Sequence, residues 1–196
     1  MLERLASGLG LRLDQDAKYK GLVGRRSGAG DELFLVLPQT YMNRSGQSVV
    51  PLARFYRITP AETLVVHDEL DLLPGVARLK QGGGIAGHNG LRDIAAQFGV
   101  PDFWRLRLGI GHPGDRNRVA DWVLSSPPPG DREAIEAAIE RSLAVMPRII
   151  AGDMQAAMLD LHGVARPPKT VAKAPAGAPA KDSPNPKPAR AAPKGE

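Results

Sequence analysis

The chain contains no cysteine, which excludes disulfides and thiolate metal sites and leaves no requirement for an oxidising compartment. No apolar run approaches ~18 residues and no basic segment leads into an apolar stretch at the start, so neither a membrane span nor a secretory leader is expected. No internal repeat is present either, which excludes a solenoid. What remains is ordinary for a globular protein: 42% hydrophobic and 24% charged residues in a chain of 196. That length holds one domain of about 150 residues with a sizeable core and an appendage. A cytoplasmic protein is the expectation.

The net charge of +5 is unevenly placed. Residues 165–196 hold seven Lys/Arg against Asp182 and Glu196, so all of the excess lies there, and residues 1–164 carry nineteen charges of each sign. The same segment holds eight of the eighteen prolines and almost nothing large and apolar. It cannot bury enough surface to offset chain entropy. The expected organisation is therefore a folded domain over 1–163 and a disordered Pro/Ala/Lys-rich tail over 164–196. The tail reads either as a salt-sensitive polyanion contact or as a solubilising appendage.

Four segments read as strands: 32–38, 63–68, 75–80 and 104–111. The first two are continuous apolar runs, as expected of strands covered on both faces. In the last, Trp104, Leu106, Leu108 and Ile110 alternate with Arg105 and Arg107. Helical spacing is found at 46–57, 88–98, 131–150 and 153–162, with Asn89 and Asp131 placed as start signals and Gly163 as a stop. Alternating strands and helices predict a single three-layer α/β/α domain with a mixed twisted sheet. One feature conflicts with such a start: Leu2, Leu5 and Leu9 share a helical face, yet neither cap nor strand precedes them.

Three stretches carry the chemistry. In "KQGGGIAGHNGLRD", Gly82, Gly84 and Gly87 match the spacing of a dinucleotide fingerprint. The acidic residue that should end the following strand is missing, because "HPGD" follows "WRLRLGIG". The glycines serve equally well as a tight turn, or as a loop presenting His88 and Asn89 at a helix N-terminus, where amides favour an oxygen-rich ligand.

In "VVHDELDLLPG", His67, Asp68, Glu69 and Asp71 form an acidic run. Neighbouring strand residues point to opposite faces, which counts against convergence on one metal ion. Asp68 lies at the C-terminal end of a buried strand, where α/β domains place their sites and where a carboxylate can orient an imidazole; His67 reads as a packed histidine. In "PQTYMNRSG", Asn43 can donate to a carbonyl or oxyanion beside an apolar wall of Tyr41 and Met42. Alternatively, Asn43 or Ser45 caps the next helix.

Together these stretches, with "FWRLRLGIGHPGDRNRVADWVL", resemble the bacterial peptidyl-tRNA hydrolase family in order and spacing, over about residues 1–162. The resemblance implies a monomeric esterase that needs no cofactor and no metal and recycles peptidyl-tRNA released from ribosomes. By resemblance, Asn43 and Asn89 hold the 3′ end and peptide carbonyls of tRNA, with Tyr41 and Met42 as the cleft wall. His88 contacts the tRNA end, and Asp68 keeps a catalytic histidine basic. Lys80 and Arg107 clamp a terminal phosphate, a task suited to an ammonium and a guanidinium. Residues 111–123 form a lid.

The family's opening strand, its "G-N-P-G" turn and the "T-R-H-N" stretch with the general-base histidine have no counterpart here. An upstream start codon is the expected explanation. Base assistance is worth about 10²–10⁴-fold, so the chain as written is expected to bind tRNA acceptor ends weakly and to hydrolyse slowly. The alternatives are a catalytically inactive tRNA- or rRNA-binding homologue, and an enzyme that takes a nucleotide at the glycine loop.

Overall fold

The computed structural model describes residues 1–28, 32–85 and 87–163. In chain order the elements are α1 (Leu2–Gly8), β1 (Asp14–Asp16), β2 (Gly21–Ser27), β3 (Glu32–Pro38), a short 3₁₀ turn (Met42–Arg44) and α2 (Gly46–Phe55). Then come β4 (Leu64–Glu69), β5 (Ala77–Gln81), α3 (Asn89–Phe98), β6 (Trp104–Gly109), α4 (Val119–Leu124), α5 (Pro129–Ile150) and α6 (Met154–Gly163). The residues assigned to a tail, 164–196, lie outside the described residues. No helix among those described is long and apolar enough to cross a membrane.

The strands form two three-stranded sheets. One, in the order β1-β2-β3, is antiparallel; in the other, β6 lies between β4, to which it is parallel, and β5, to which it is antiparallel. The mixed pairing matches the sequence reading, and the division into two sheets is new. Sequence patterning also missed β1, β2 and α4. β2 reads "GLVGRRS", with only Leu22 and Val23 large and apolar before its charges begin.

The alternation of β6 sets the layers. Leu106 is fully buried, and with Trp104 and Leu108 it packs against Ala138 and Val145 of α5 and Ala157 and Leu161 of α6. The opposite layer is built by Leu91, Ile94 and Ala95 of α3 with Phe103. Fully burying such a side chain contributes about 1.5–3 kcal/mol, so these two clusters fix the orientation of β6. α1 packs Leu5 and Ala6 on Leu35 of β3 and Met146 of α5. Arg4 adds ion pairs to Glu136 and Glu140.

Several helix ends differ from the expected signals. His88, not Asn89, caps α3: its Nδ1 accepts the Leu91 amide at 3.2 Å. Ser45 precedes α2 without capping it, and its hydroxyl donates instead to the Met42 carbonyl. α5 begins at Pro129, with Asp131 in its first turn; proline suits this position because its missing N–H would have no helical partner there.

Between the two sheets runs a cavity of about 1030 Å³, walled by residues 33–38 on one side and 64–68 on the other. Among the described residues β3 pairs only with β2 and β4 only with β6. The Trp104 amide donates to Thr63 and that of Ile110 to Glu69, so in this parallel ladder Leu64 and Val66 direct their backbone groups away from β6, into the cavity. By the same alternation, with the Gln39 amide on the Lys20 carbonyl, Phe34 and Val36 face it from β3. The gap is one strand's worth of unmade pairing.

Candidate active site

Two helix starts are brought together at one end of this gap. The Asp93 carboxylate of α3 accepts the Gly46 amide at 2.7 Å and the Gln97 side chain at 3.1 Å. Gly46 permits the approach, since a Cβ there would sit 2.8 Å from the Asp93 carbonyl oxygen. Gly90 does the same from the other side: its Cβ would meet Met42 Sδ at 2.7 Å and His88 Cε1 at 3.0 Å. The turn bearing Asn43 therefore seats beside the turn bearing His88 and Asn89. Tyr41 and Met42 stand exposed at 79% and 55%, as a wall awaiting a ligand would. Asn43 and Asn89 are exposed as well, and Asn89 Oδ1 accepts a bond from Arg92 at 3.3 Å.

Asp68, one residue before the end of β4, lies opposite these turns. Its Oδ1 lies 3.4 Å from His88 Nε2. The bond from His88 holds the Asp68 carboxyl below the usual carboxylate range, against the opposing effect of burial. Since His88 Nδ1 accepts the Leu91 amide, the neutral ring carries its proton on Nε2, directed at Asp68. Both nitrogens are thus occupied, and His88 in this state is a donor rather than a base.

The other histidines are also tied. His67 is buried, its Nδ1 donates to the Asp68 carbonyl at 2.6 Å, and its ring meets that of His88 edge-on with centroids 5.0 Å apart. Burial keeps its pKa below the ordinary histidine value. Its Nε2 has no partner among the described residues. His162 accepts the Leu79 amide at 2.9 Å and His112 the Gly114 amide at 3.0 Å. Of the four, His88 has both ring nitrogens engaged, and the unpartnered nitrogen of His67 is buried.

A basic group lies on the α3-facing side of β6. Arg107 Nε donates to Glu69 Oε2 at 2.8 Å, and Arg105 Nη1 donates to the Gly84 carbonyl at 2.6 Å. Lys80, paired in register with Arg105, is exposed. Glu69 and Arg105 were not recognised as site residues from sequence. The available signal was period two: from His67 one step along β4 on the same face gives Glu69, and from Arg107 one step back along β6 gives Arg105.

The glycines after β5 take left-handed backbone angles, with φ of 55° at Gly82, 84° at Gly83 and 78° at Gly87. They are needed for the turn itself. In residues 111–123, the expected lid, Trp122 Nε1 donates to the Ile110 and Gly111 carbonyls at 3.3 and 3.0 Å, which fastens α4 to the end of β6. Among the described residues no group of three or more His, Asp or Glu side chains is arranged to hold a metal.

This arrangement can be set beside known proteins. A family model described as peptidyl-tRNA hydrolase matches residues 1–170. The peptidyl-tRNA hydrolase of Leptothrix cholodnii is 55% identical over 177 residues, covering 90% of this chain and 82% of the relative. That of Azotobacter vinelandii is 57% identical over 162 residues, covering 82% and 84%. The crystal structure of peptidyl-tRNA hydrolase from Acinetobacter baumannii superposes with a TM-score of 0.78 at 47% identity, covering 82% of this chain and 81% of that one. With the helix starts, the Asp68 strand end and the sheet layers all in place, the chain belongs to the peptidyl-tRNA hydrolase family.

Proposed function

We propose that this chain provides the acceptor-end site for hydrolysis of the ester between a peptide, or an N-blocked amino acid, and the 3′ ribose of tRNA. The observation that carries this reading is the seating of the Asn43 turn on the His88–Asn89 turn, through Gly46 and Gly90, across from Asp68. Two amide side chains there can donate to the ester carbonyl and to the oxyanion that replaces it; one such donor is worth about 10²–10³-fold in rate. Tyr41 and Met42 wall the peptide side. Lys80 offers an uncommitted ammonium to a phosphate, while Arg107, already held by Glu69, contributes its remaining N–H groups.

Proton abstraction from water needs a base, and the two histidines beside Asp68 do not offer one: His88 has both nitrogens engaged and the free nitrogen of His67 is buried. An apolar strand ahead of Met1 would supply the unmade pairing of the gap, and a histidine carried with it to the Asp68 end of that gap would supply the imidazole. The test is cleavage of N-acetylaminoacyl-tRNA by the chain as it stands, by the extended chain, and by the extended chain with Asp68→Ala. A gain of about 10²–10⁴-fold on extension, cancelled by Asp68→Ala, is expected. A folded extended chain with no gain overturns the hydrolase reading. The occupied nitrogens of His88 favour one second reading, a non-hydrolytic binder of tRNA or rRNA, for which binding would be unchanged in Asp68→Ala.

A further inference from the structure

Arg105 is only 3% exposed, yet no carboxylate among the described residues is paired with it. The single carboxylate bonded on that side of the sheet, Glu69, is engaged by Arg107. Arg105 Nε and Nη2 are buried without a partner among the described residues. A buried cation in such surroundings is costly, and an apolar side chain of similar volume would serve the fold as well or better. Its one strong interaction is the 2.6 Å bond from Nη1 to the Gly84 carbonyl.

That carbonyl belongs to the segment running from β5 into the His88 cap. Glycine at 82, 83 and 87, each left-handed, leaves those positions wide backbone freedom, so contacts from outside help to place the described residues beside them. Gly82 is fixed by its amide on the Phe103 carbonyl at 3.1 Å. Gly83 lies against Lys80 and Arg105, where an added Cβ would be 3.0 Å from Lys80 Nζ and 3.4 Å from Arg105 Nη2. Four and five residues beyond Gly84 come His88 and Asn89.

We infer that Arg105 is a positioning residue: by holding Gly84 it sets the path of the glycine segment and so aims His88 at Asp68 and Asn89 into the cleft. The inference rests on the acceptor-end reading above and adds to it a residue that touches no substrate. An enzyme site is sensitive to such placement, since an error of about 1 Å can cost 10²-fold.

The test compares Arg105→Met, which keeps the volume, and Arg105→Lys, which keeps a donor, with the unaltered chain. Three quantities are measured: the thermal midpoint, the His88 ring-nitrogen chemical shifts, and affinity for an acceptor minihelix RNA carrying an amide-linked N-acetylaminoacyl group, with and without its 5′ phosphate. Arg105→Met is expected to keep or raise the thermal midpoint, to shift the His88 nitrogens, and to weaken both RNAs by the same factor of about tenfold or more. Arg105→Lys should recover part of each effect. Unchanged His88 shifts in Arg105→Met overturn the inference. A loss confined to the 5′-phosphorylated RNA also overturns it, by making Arg105 a phosphate contact. If the unaltered chain binds neither RNA, the acceptor-end reading fails, while the His88 shifts still decide the role of Arg105.

Discussion

His88 and Asp68 face each other at 3.4 Å, with the imidazole proton fixed between them because the Leu91 amide occupies the other ring nitrogen. The pair joins the start of one helix to the end of one strand. Four predictions test this pair and the supports around it.

The Asp68 carboxyl is held below the usual range chiefly by His88. A depressed carboxyl pKa contributes stability that is present above the unfolded value, about 3.9, and is lost as pH falls through the lower folded value. Asp68→Asn should therefore flatten the acid limb of the stability curve below about pH 4, with little change in its shape near neutrality. Urea midpoints across that range check it. An unchanged acid limb would separate Asp68 from His88 in solution.

His67 acts in the same direction but in a higher pH window. Its pKa is lowered by burial, so the folded state resists a proton that the unfolded chain accepts near pH 6.5. Stability should fall as pH drops below about 6.5 and level off below the folded value. His67→Asn keeps a donor for the Asp68 carbonyl and removes the titration, and should abolish that decline. The comparison is of urea midpoints at pH 7 and pH 5.5, in both proteins.

Lys80 and Arg107 should separate by what each loses. Lys80→Ala removes an exposed cation, so stability should hold while tRNA affinity drops and the salt slope falls by about 1. Arg107→Ala leaves Glu69, 6% exposed, without its partner, and should cost about 3–5 kcal/mol of stability. Denaturation and salt-titrated binding of both variants would show whether the pair acts as two phosphate contacts or as one contact and one strut.

Gly46→Ala is expected to part the two helix starts. The added carbon would be 2.8 Å from the Asp93 carbonyl oxygen, which is backbone and cannot swing aside. A cost of about 1–3 kcal/mol follows from overpacking of this kind. Affinity for an N-acetylaminoacyl RNA should fall together with it, because Asn43 moves relative to Asn89. A loss of stability with binding intact would show that the two asparagines act separately.

Much of this was legible in the residues. Alternation over Trp104–Ile110 marks β6 and its two faces, and the residues around Asn43 and His88-Asn89 carry helix-start patterns of their own. The chemistry of the starts was less legible: which of His88 and Asn89 caps α3 depends on the angle at which the glycine segment arrives, a tertiary quantity. β2 was hidden because its second half is charged, and a strand carried by its neighbours needs few apolar residues of its own. The division into two sheets was equally invisible, since pairing partners distant in sequence leave no periodic trace.

The gap between those sheets has one more consequence. β3 leads into the Asn43 turn and β4 carries Asp68 one residue before its end, so the two walls of the gap carry the two sides of the candidate site. A strand inserted there would hold each wall about 4.8 Å from its own axis. The gap is therefore a ruler: whatever occupies it fixes how far β3 stands from β4, and with that the distance between the Asn43 turn and Asp68.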